Sequence, residues 1–281
     1  MTGPRIVAEE LGFTEGPVWT RDGRLLVTSI SHGAVYEVSD SGSTVVCKTG
    51  GGPNGMAEGE DGALYVTQNG GIFGTGEEVP ERADAGIQVI ERGKARYLAQ
   101  GLDAPNDCCC GPDDRLYFTD PRGAANPSNQ RPGRVYTMRI DGEPELLAEG
   151  PAFTNGLAFD ADASALYVAE TFGRRVLVYP YRDGALGEPR EFCRTKGGFP
   201  DGMCFDIEGR LLVAATLAKE VQVFDRDGAC VERLACGEES MPTNCCFGGA
   251  DGRTVFVTDS RGERVLAFDW PAAGLPLFPF R

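Results

Sequence analysis

Residues 155–170 read NGLAFDADASALYVAE: an amide, a glycine, an apolar run, a polar turn and a second apolar run. Five other stretches share the form. They are EGPVWTRDGRLLVTSI (15–30), NGMAEGEDGALYVTQ (54–68), NDCCCGPDDRLYFTD (106–120), DGMCFDIEGRLLVAA (201–215) and, more loosely, NCCFGGADGRTVFVTD (244–259). Their first residues lie 39, 52, 49, 46 and 43 positions apart. A period of roughly 40–50 residues is the length of a four-stranded propeller blade. Six copies therefore predict an all-β chain, a six-bladed β-propeller of four-stranded antiparallel blades.

The strand pattern inside a copy agrees. In the first, strands are expected over 16–20, 24–30, 34–39 and 43–48, with a turn at Arg21-Asp22-Gly23. No segment has the period of an amphipathic helix of ten or more residues. The last copy offers strands over 243–247, 253–259 and 263–270, then ends in the proline-broken WPAAGLPLFPFR (270–281). One strand is missing there, and RIVAEEL (5–11) is left over at the other end. The N-terminal strand is thus expected to close the last blade, which leaves no unpaired edge. A sandwich has no reason for six equivalent repeats, and a β-helix would have a shorter period. The whole chain, 1–281, reads as a single propeller domain.

Composition narrows the function. The 281 residues carry 27 Lys+Arg against 42 Asp+Glu, a net charge of −15. That disfavours nucleic acid and anionic membrane surfaces and suits a cation. No apolar run approaches the ~20 residues of a membrane span. The start, MTGPRIVAEELGF, lacks the pattern of a secretory leader, so a cytoplasmic location is expected. The ten cysteines include the runs Cys108-Cys109-Cys110 and Cys245-Cys246. Neighbours in sequence pair poorly, and a chain of this length needs no staples, so they read as reduced, core-filling thiols. With one histidine and no paired C-x-x-C spacing, a zinc cluster is not expected.

In a propeller the first strand of each blade lines the central channel. The residues heading those strands would be Glu15, Asn54, Asn106, Asn155, Asp201 and Asn244. All six bear oxygen, the donor hard cations such as Ca²⁺ take six to eight of. Asn-Gly and Asp-Gly also serve as ordinary turn dipeptides. Two departures favour a site: Glu15 is a poor turn former, and Asp107 stands where a glycine is expected. The loops between second and third strands fall on the same face. Two are long, 68–86 and 121–133. The first, with Gly70, Gly71, Gly74 and Gly76, reads as a lid or a plain insertion. His32 falls in another such loop and reads as solvated. Asp120 and Glu170, ending second strands, widen the acidic mouth or cap their strands.

EGPVW (15–19), PND (105–107), LYFTDP (116–121), TNGLAFD (154–160), PDGMCFD (200–206) and CCFGG (245–249) together resemble the senescence-marker-protein/gluconolactonase/luciferin-regenerating-enzyme family, also called regucalcin-like. The resemblance implies a six-bladed propeller with one divalent cation in the channel and lactonase activity on sugar lactones. It implies metal ligands at Glu15, Asn155 and Asp201, with Asn106 either ligating or holding substrate. Ca²⁺ is the first expectation, and Mg²⁺, Mn²⁺ or Zn²⁺ are alternatives. The run Cys108–Cys110 departs from the family's aliphatic strand and reads as packing, or as an unusual channel wall.

The expected mechanism has the metal polarising the lactone carbonyl and Asp201 activating water. No G-x-S-x-G nucleophile motif is present. Arg122 and Arg131 are candidate substrate contacts. Two alternatives stand beside lactone opening: phosphotriester hydrolysis on the same metal, and a non-catalytic, calcium-plugged propeller that binds a partner. A small-molecule substrate and a monomer or weak homo-oligomer are expected. The apolar tail 270–281 either lies on its own domain or forms an interface.

Overall fold

A computed structural model describes residues 3–73, 81–123, 128 and 131–280. Within them the chain forms 25 β-strands and one short 3₁₀ turn, Thr216–Ala218. The strands make six antiparallel sheets. The first blade is β2 (Thr14–Trp19), β3 (Leu25–Ser29), β4 (Ala34–Ser39) and β5 (Gly42–Lys48), in that order from channel to rim. The other inner strands are β6 (Pro53–Glu58), β10 (Cys108–Cys110), β14 (Thr154–Phe159), β19 (Pro200–Phe205) and β23 (Pro242–Gly248). Each inner strand touches the next around the circle, and β23 touches β2, so the ring closes.

Closure is the one the repeat predicts. β1 (Arg5–Ala8) pairs with β25 (Arg264–Asp269) as the outer strand of the sixth sheet. The Leu11 amide then donates to the Glu263 carbonyl at 2.9 Å, and the Leu11 side chain is fully buried. One blade departs from four strands. The long third strand of blade four, Arg175–Arg182, pairs first with Arg190–Arg194 and then with the two-residue strand Ala185–Leu186.

The burial pattern explains why the second strands read as unbroken apolar runs. Leu25–Ser29, Leu64–Gln68, Leu116–Asp120 and Leu211–Ala215 are buried at every position, because a neighbouring blade covers each face of the sheet. Outer strands such as Gly42–Lys48 are largely exposed and polar. The core is accordingly six seams, one between each pair of adjacent blades.

The tail lies on its own domain. Trp270 is buried and its indole N–H donates to Asp206 Oδ2 at 3.0 Å. The Leu275 amide donates to the Phe205 carbonyl at 2.9 Å, and Phe278 packs edge-on to Phe159. These partners are the last residues of inner strands, so the tail covers the channel end opposite the strand heads. Among the described residues no helix is long and apolar enough to cross a membrane.

Candidate active site

The head dipeptides are not turns. Glu15-Gly16, Asn54-Gly55, Asn155-Gly156 and Asp201-Gly202 lie inside β2, β6, β14 and β19. At each, the ladder to the second strand slips by one residue. This is a β-bulge, a device that re-aims one side chain out of the sheet. Of these four glycines only Gly16 has positive φ, at 40°. The others serve close approach. A Cβ on Gly55 would stand 2.3 Å from Asp107 Oδ1, one on Gly156 2.4 Å from the Asp201 carbonyl, and one on Gly202 2.0 Å from Asn244 Cγ. The glycine of each blade is the space into which the next blade's head fits.

A second device, which the sequence reading missed, ties the heads together. Thr28 Oγ1 donates to the Asn54 carbonyl (2.6 Å), Thr119 Oγ1 to that of Asn155 (2.7 Å) and Thr171 Oγ1 to that of Pro200 (2.9 Å). Thr67 bonds the Asn106 carbonyl and Thr243 that of Thr14. The signal was present: threonine recurs near the end of most second strands, in LLVTS, LYVTQ, LYFTD and VFVTD.

The ring brings all six expected heads to one level, buried to between 1% and 8% relative exposure. It also brings in Asp107, whose place where a glycine was expected spoke for a site but gave it no role. Asp107 Oδ1 accepts from the Cys108 amide at 2.9 Å, and Oδ2 from Asn244 Nδ2, across the channel, at 3.2 Å. Three carboxylates now share a desolvated space. Burial, then the Asp107 charge, pushes Glu15 up to about 8. Burial pushes Asp107 up to about 6. Asp201 is driven well above its usual value by burial, then by Glu15 and Asp107. Hydrogen bonds from Asn244 to Glu15 and from Asn155 to Asp201 offset this only in part. Asn155 Nδ2 also donates to Thr171 Oγ1 at 3.1 Å.

Such a set fits a hard cation. Every head offers oxygen, the carboxylates repel one another, and Asn54 Oδ1 is buried with no hydrogen-bond partner. Among the described residues no three His, Cys, Asp or Glu side chains form a metal-holding group by themselves. A cation here would draw on the amide oxygens as well.

The best-formed cavity lies on the other side of this ring. It holds about 370 Å³ and meets the ring only at Gly16, Asp107 and Asn244. Its walls are apolar and sulfur-bearing, and Leu275–Phe278 with Phe280 floor it. Cys108–Cys110 line it while also packing in the seams: Cys108 and Cys110 against blade two, Cys109 against blade four. Both expectations for this run hold at once. Burial pushes the Cys110 thiol up to about 12 and drives Cys108 well above its usual value, so neither is a thiolate. The polar chemistry stays at the heads.

Other candidates sit elsewhere. Arg122 pairs with Asp103 (3.3 Å) and Glu149 (3.4 Å), and Arg131 with Asp103 (2.7 Å) and the Arg122 carbonyl. Both guanidiniums are thus held in one network beside Pro105-Asn106. Asp120 caps: its carboxylate accepts from the amides of Asp103, Ala104 and Arg122. Glu170 likewise takes the Ala152 amide and Arg175. His32 is half-buried rather than solvated, with Nδ1 2.9 Å from the Tyr36 hydroxyl. Of the two long loops, residues 74–80 of the lid candidate, Gly74 and Gly76 among them, lie outside the described residues, as do 124–127 and 129–130.

A sequence profile of the "SMP-30/Gluconolactonase/LRE-like region" matches residues 13–261. A gluconolactonase from Zymomonas mobilis is 27% identical over 292 residues, covering 91% of this chain and 78% of that one. The diisopropyl-fluorophosphatase of the squid Loligo vulgaris is 26% identical, covering 95% and 92%. A solved structure from Xanthomonas campestris, described as a gluconolactonase important in glucose secondary metabolic pathways, aligns with a TM-score of 0.79 at 25% identity. It covers 96% of each chain.

Proposed function

The chain belongs to the SMP-30/gluconolactonase/LRE-like family, and on that premise we propose that it is a cation-dependent hydrolase that opens a sugar lactone. The observation that carries the reading is the convergence of Glu15, Asp107 and Asp201, buried and mutually repelling, on one mouth whose other donors are neutral amides. Glu15, Asn155 and Asp201 would hold the cation, with Asn106 beside it. When bound, a divalent cation supplies Lewis acidity at the lactone carbonyl and steadies the oxyanion.

The chain's own residues do the rest. Asp201, in its ionised form, takes a proton from the attacking water, and the Asn155 amide fixes the orientation of its carboxylate. Asn106 holds the substrate at the ring. Asp107 is itself held from both sides, by the Cys108 amide and Asn244. It keeps negative potential at the ring without occupying the position of Asp201. The squid relative supports a second reading, phosphotriester hydrolysis with the same residues.

The test is hydrolysis of D-glucono-1,5-lactone and a panel of pentono- and hexonolactones, followed by pH indicator. Chelator-treated protein is compared before and after Ca²⁺, Mg²⁺, Mn²⁺ or Zn²⁺, with Asp201→Ala and Asp201→Asn alongside. Turnover restored by a cation and reduced at least ~100-fold in both variants is the expected result. Cation binding with no turnover of any lactone refutes it. Turnover of a fluorophosphate alone would select the second reading.

A further inference from the structure

Asn54 heads blade two, and the resemblance assigned it no role. Its backbone carbonyl is engaged. The carbonyl accepts from Thr28 Oγ1 at 2.6 Å. At other heads the side-chain oxygen accepts from the next residue's amide: Glu15 from Gly16, Asp107 from Cys108, and Asn244 from Cys245. In blade two that amide is taken. Gly55 N–H points to the Asn106 carbonyl at 2.7 Å and to Thr67 Oγ1 at 2.8 Å. Asn54 Oδ1 is therefore left without a donor on a residue only 1% exposed. Burying a carbonyl oxygen without a donor is costly, so such a group calls for a partner.

Its location narrows that partner. Blade two lies between blades one and three, which carry Glu15 and Asp107, and those two carboxylates feel each other's charge. The oxygen itself is enclosed, so a substrate in the open mouth does not reach it, whereas an ion within the ring would. A neutral carbonyl adds an oxygen donor where three acids already stand and adds no further repulsion.

We infer that Asn54 is a further oxygen donor to the ring's cation, completing in blade two the set contributed by the other heads. The inference rests on the cation reading proposed above, and the experiment separates the two. Ca²⁺ binding is measured by calorimetry on chelator-stripped parent, Asn54→Leu, Asn54→Asp and Asp201→Ala, with thermal unfolding of each in chelator. Asn54→Leu should weaken binding about tenfold or more, and Asn54→Asp should restore it. In chelator Asn54→Leu should melt no lower than the parent, because it removes an unpaired acceptor. A parent that binds Ca²⁺ beside an Asn54→Leu protein binding equally well overturns this inference alone. The same holds if Asn54→Leu melts lower and Asn54→Asp fails to restore affinity, which marks a structural amide. A parent that binds no cation overturns this inference and the cation reading together.

Discussion

In chelator, this protein should become less stable as pH rises through neutrality, the reverse of ordinary acid denaturation. The ring carboxylates set the sign. Glu15 titrates near 4.5 unfolded and about 8 folded, and Asp107 near 3.8 and about 6. Between those values the folded chain holds protons that the unfolded chain has released. Stability therefore falls with rising pH. The contribution is complete below about 4.5 and gone above about 8. At ~1.4 kcal/mol per pKa unit, Glu15 alone is worth on the order of 4 kcal/mol over the roughly three units between pH 5 and its folded value of about 8. For 281 residues, an unfolding entropy of ~2.1 cal/mol/K per residue turns that into roughly 7 °C of Tm. Carboxylates with lowered values act elsewhere. Asp22, held down by a hydrogen bond from Thr20, and Glu149, held down by one from Arg134, change stability only at more acid pH. The assay is thermal unfolding by circular dichroism from pH 5 to pH 8.5, in chelator and in millimolar Ca²⁺, for the parent and Glu15→Gln. The chelated parent should lose about 7 °C or more across the range. Ca²⁺ should flatten the curve, and Glu15→Gln in chelator should show a shallower fall. A flat profile for the chelated parent, or an unchanged slope in Glu15→Gln, would refute the assignment of repulsion to the ring.

Gly202→Ala places a methyl 2.0 Å from Asn244 Cγ, in a strand that cannot back away from its neighbour. Chemical denaturation should show a loss of about 3 kcal/mol, and a change under ~0.5 kcal/mol would mean that the heads are not close-packed as described. Thiol titration with Ellman's reagent should find one fast group in the native protein, the exposed Cys230, and ten in denaturant without reductant. Fewer than ten would reveal disulfides, and three or more fast thiols would contradict the burial of the inner-strand cysteines.

Much of this was legible because a repeat protein states each rule several times. The blade count, the ring closure by Arg5–Ala8 and the level of the six heads all follow from one recurring unit. What was not legible depends on neighbours in space. Asn-Gly is a turn signal in isolation. Here it is a bulge within a strand, because pairing continues on both sides and the next blade needs the glycine's missing side chain. Asp107 favoured a site by standing where a glycine was expected, but its role was not legible. Its importance appears only once Asn244, 137 positions later, is brought across the channel to bond it. His32 is in the loop where the sequence put it, but it is half-buried because Tyr36 on the next strand meets it, which sequence does not show. Nor does sequence show that Asp103 pairs with both Arg122 and Arg131, and Glu149 with Arg122.

These features imply a division of labour between stability and function. Threonine latches and glycine contacts draw six strand ends into a circle, and the same contraction forces Glu15, Asp107 and Asp201 to share a desolvated space. A ring built for stability alone would carry amides at every head, as blades two, three, four and six do. Acids at two heads, with Asp107 beside a third, disfavour the cation-free fold, and the six apolar seams and ring closure must offset that. The far end of the channel shows the contrast. There Phe159, Phe205 and Phe247 meet the tail, and burial raises the Cys108, Cys110, Cys204 and Cys246 thiols above their usual range. The two ends differ in what they ask of a ligand. The tail end is already covered by the chain itself, whereas the head end holds unbalanced negative charge and, in Asn54 Oδ1, a donor-less oxygen. Both deficits would be met by one positively charged, oxygen-seeking guest, and that common remedy makes the head ring, not the apolar cavity under the tail, the place to look for chemistry.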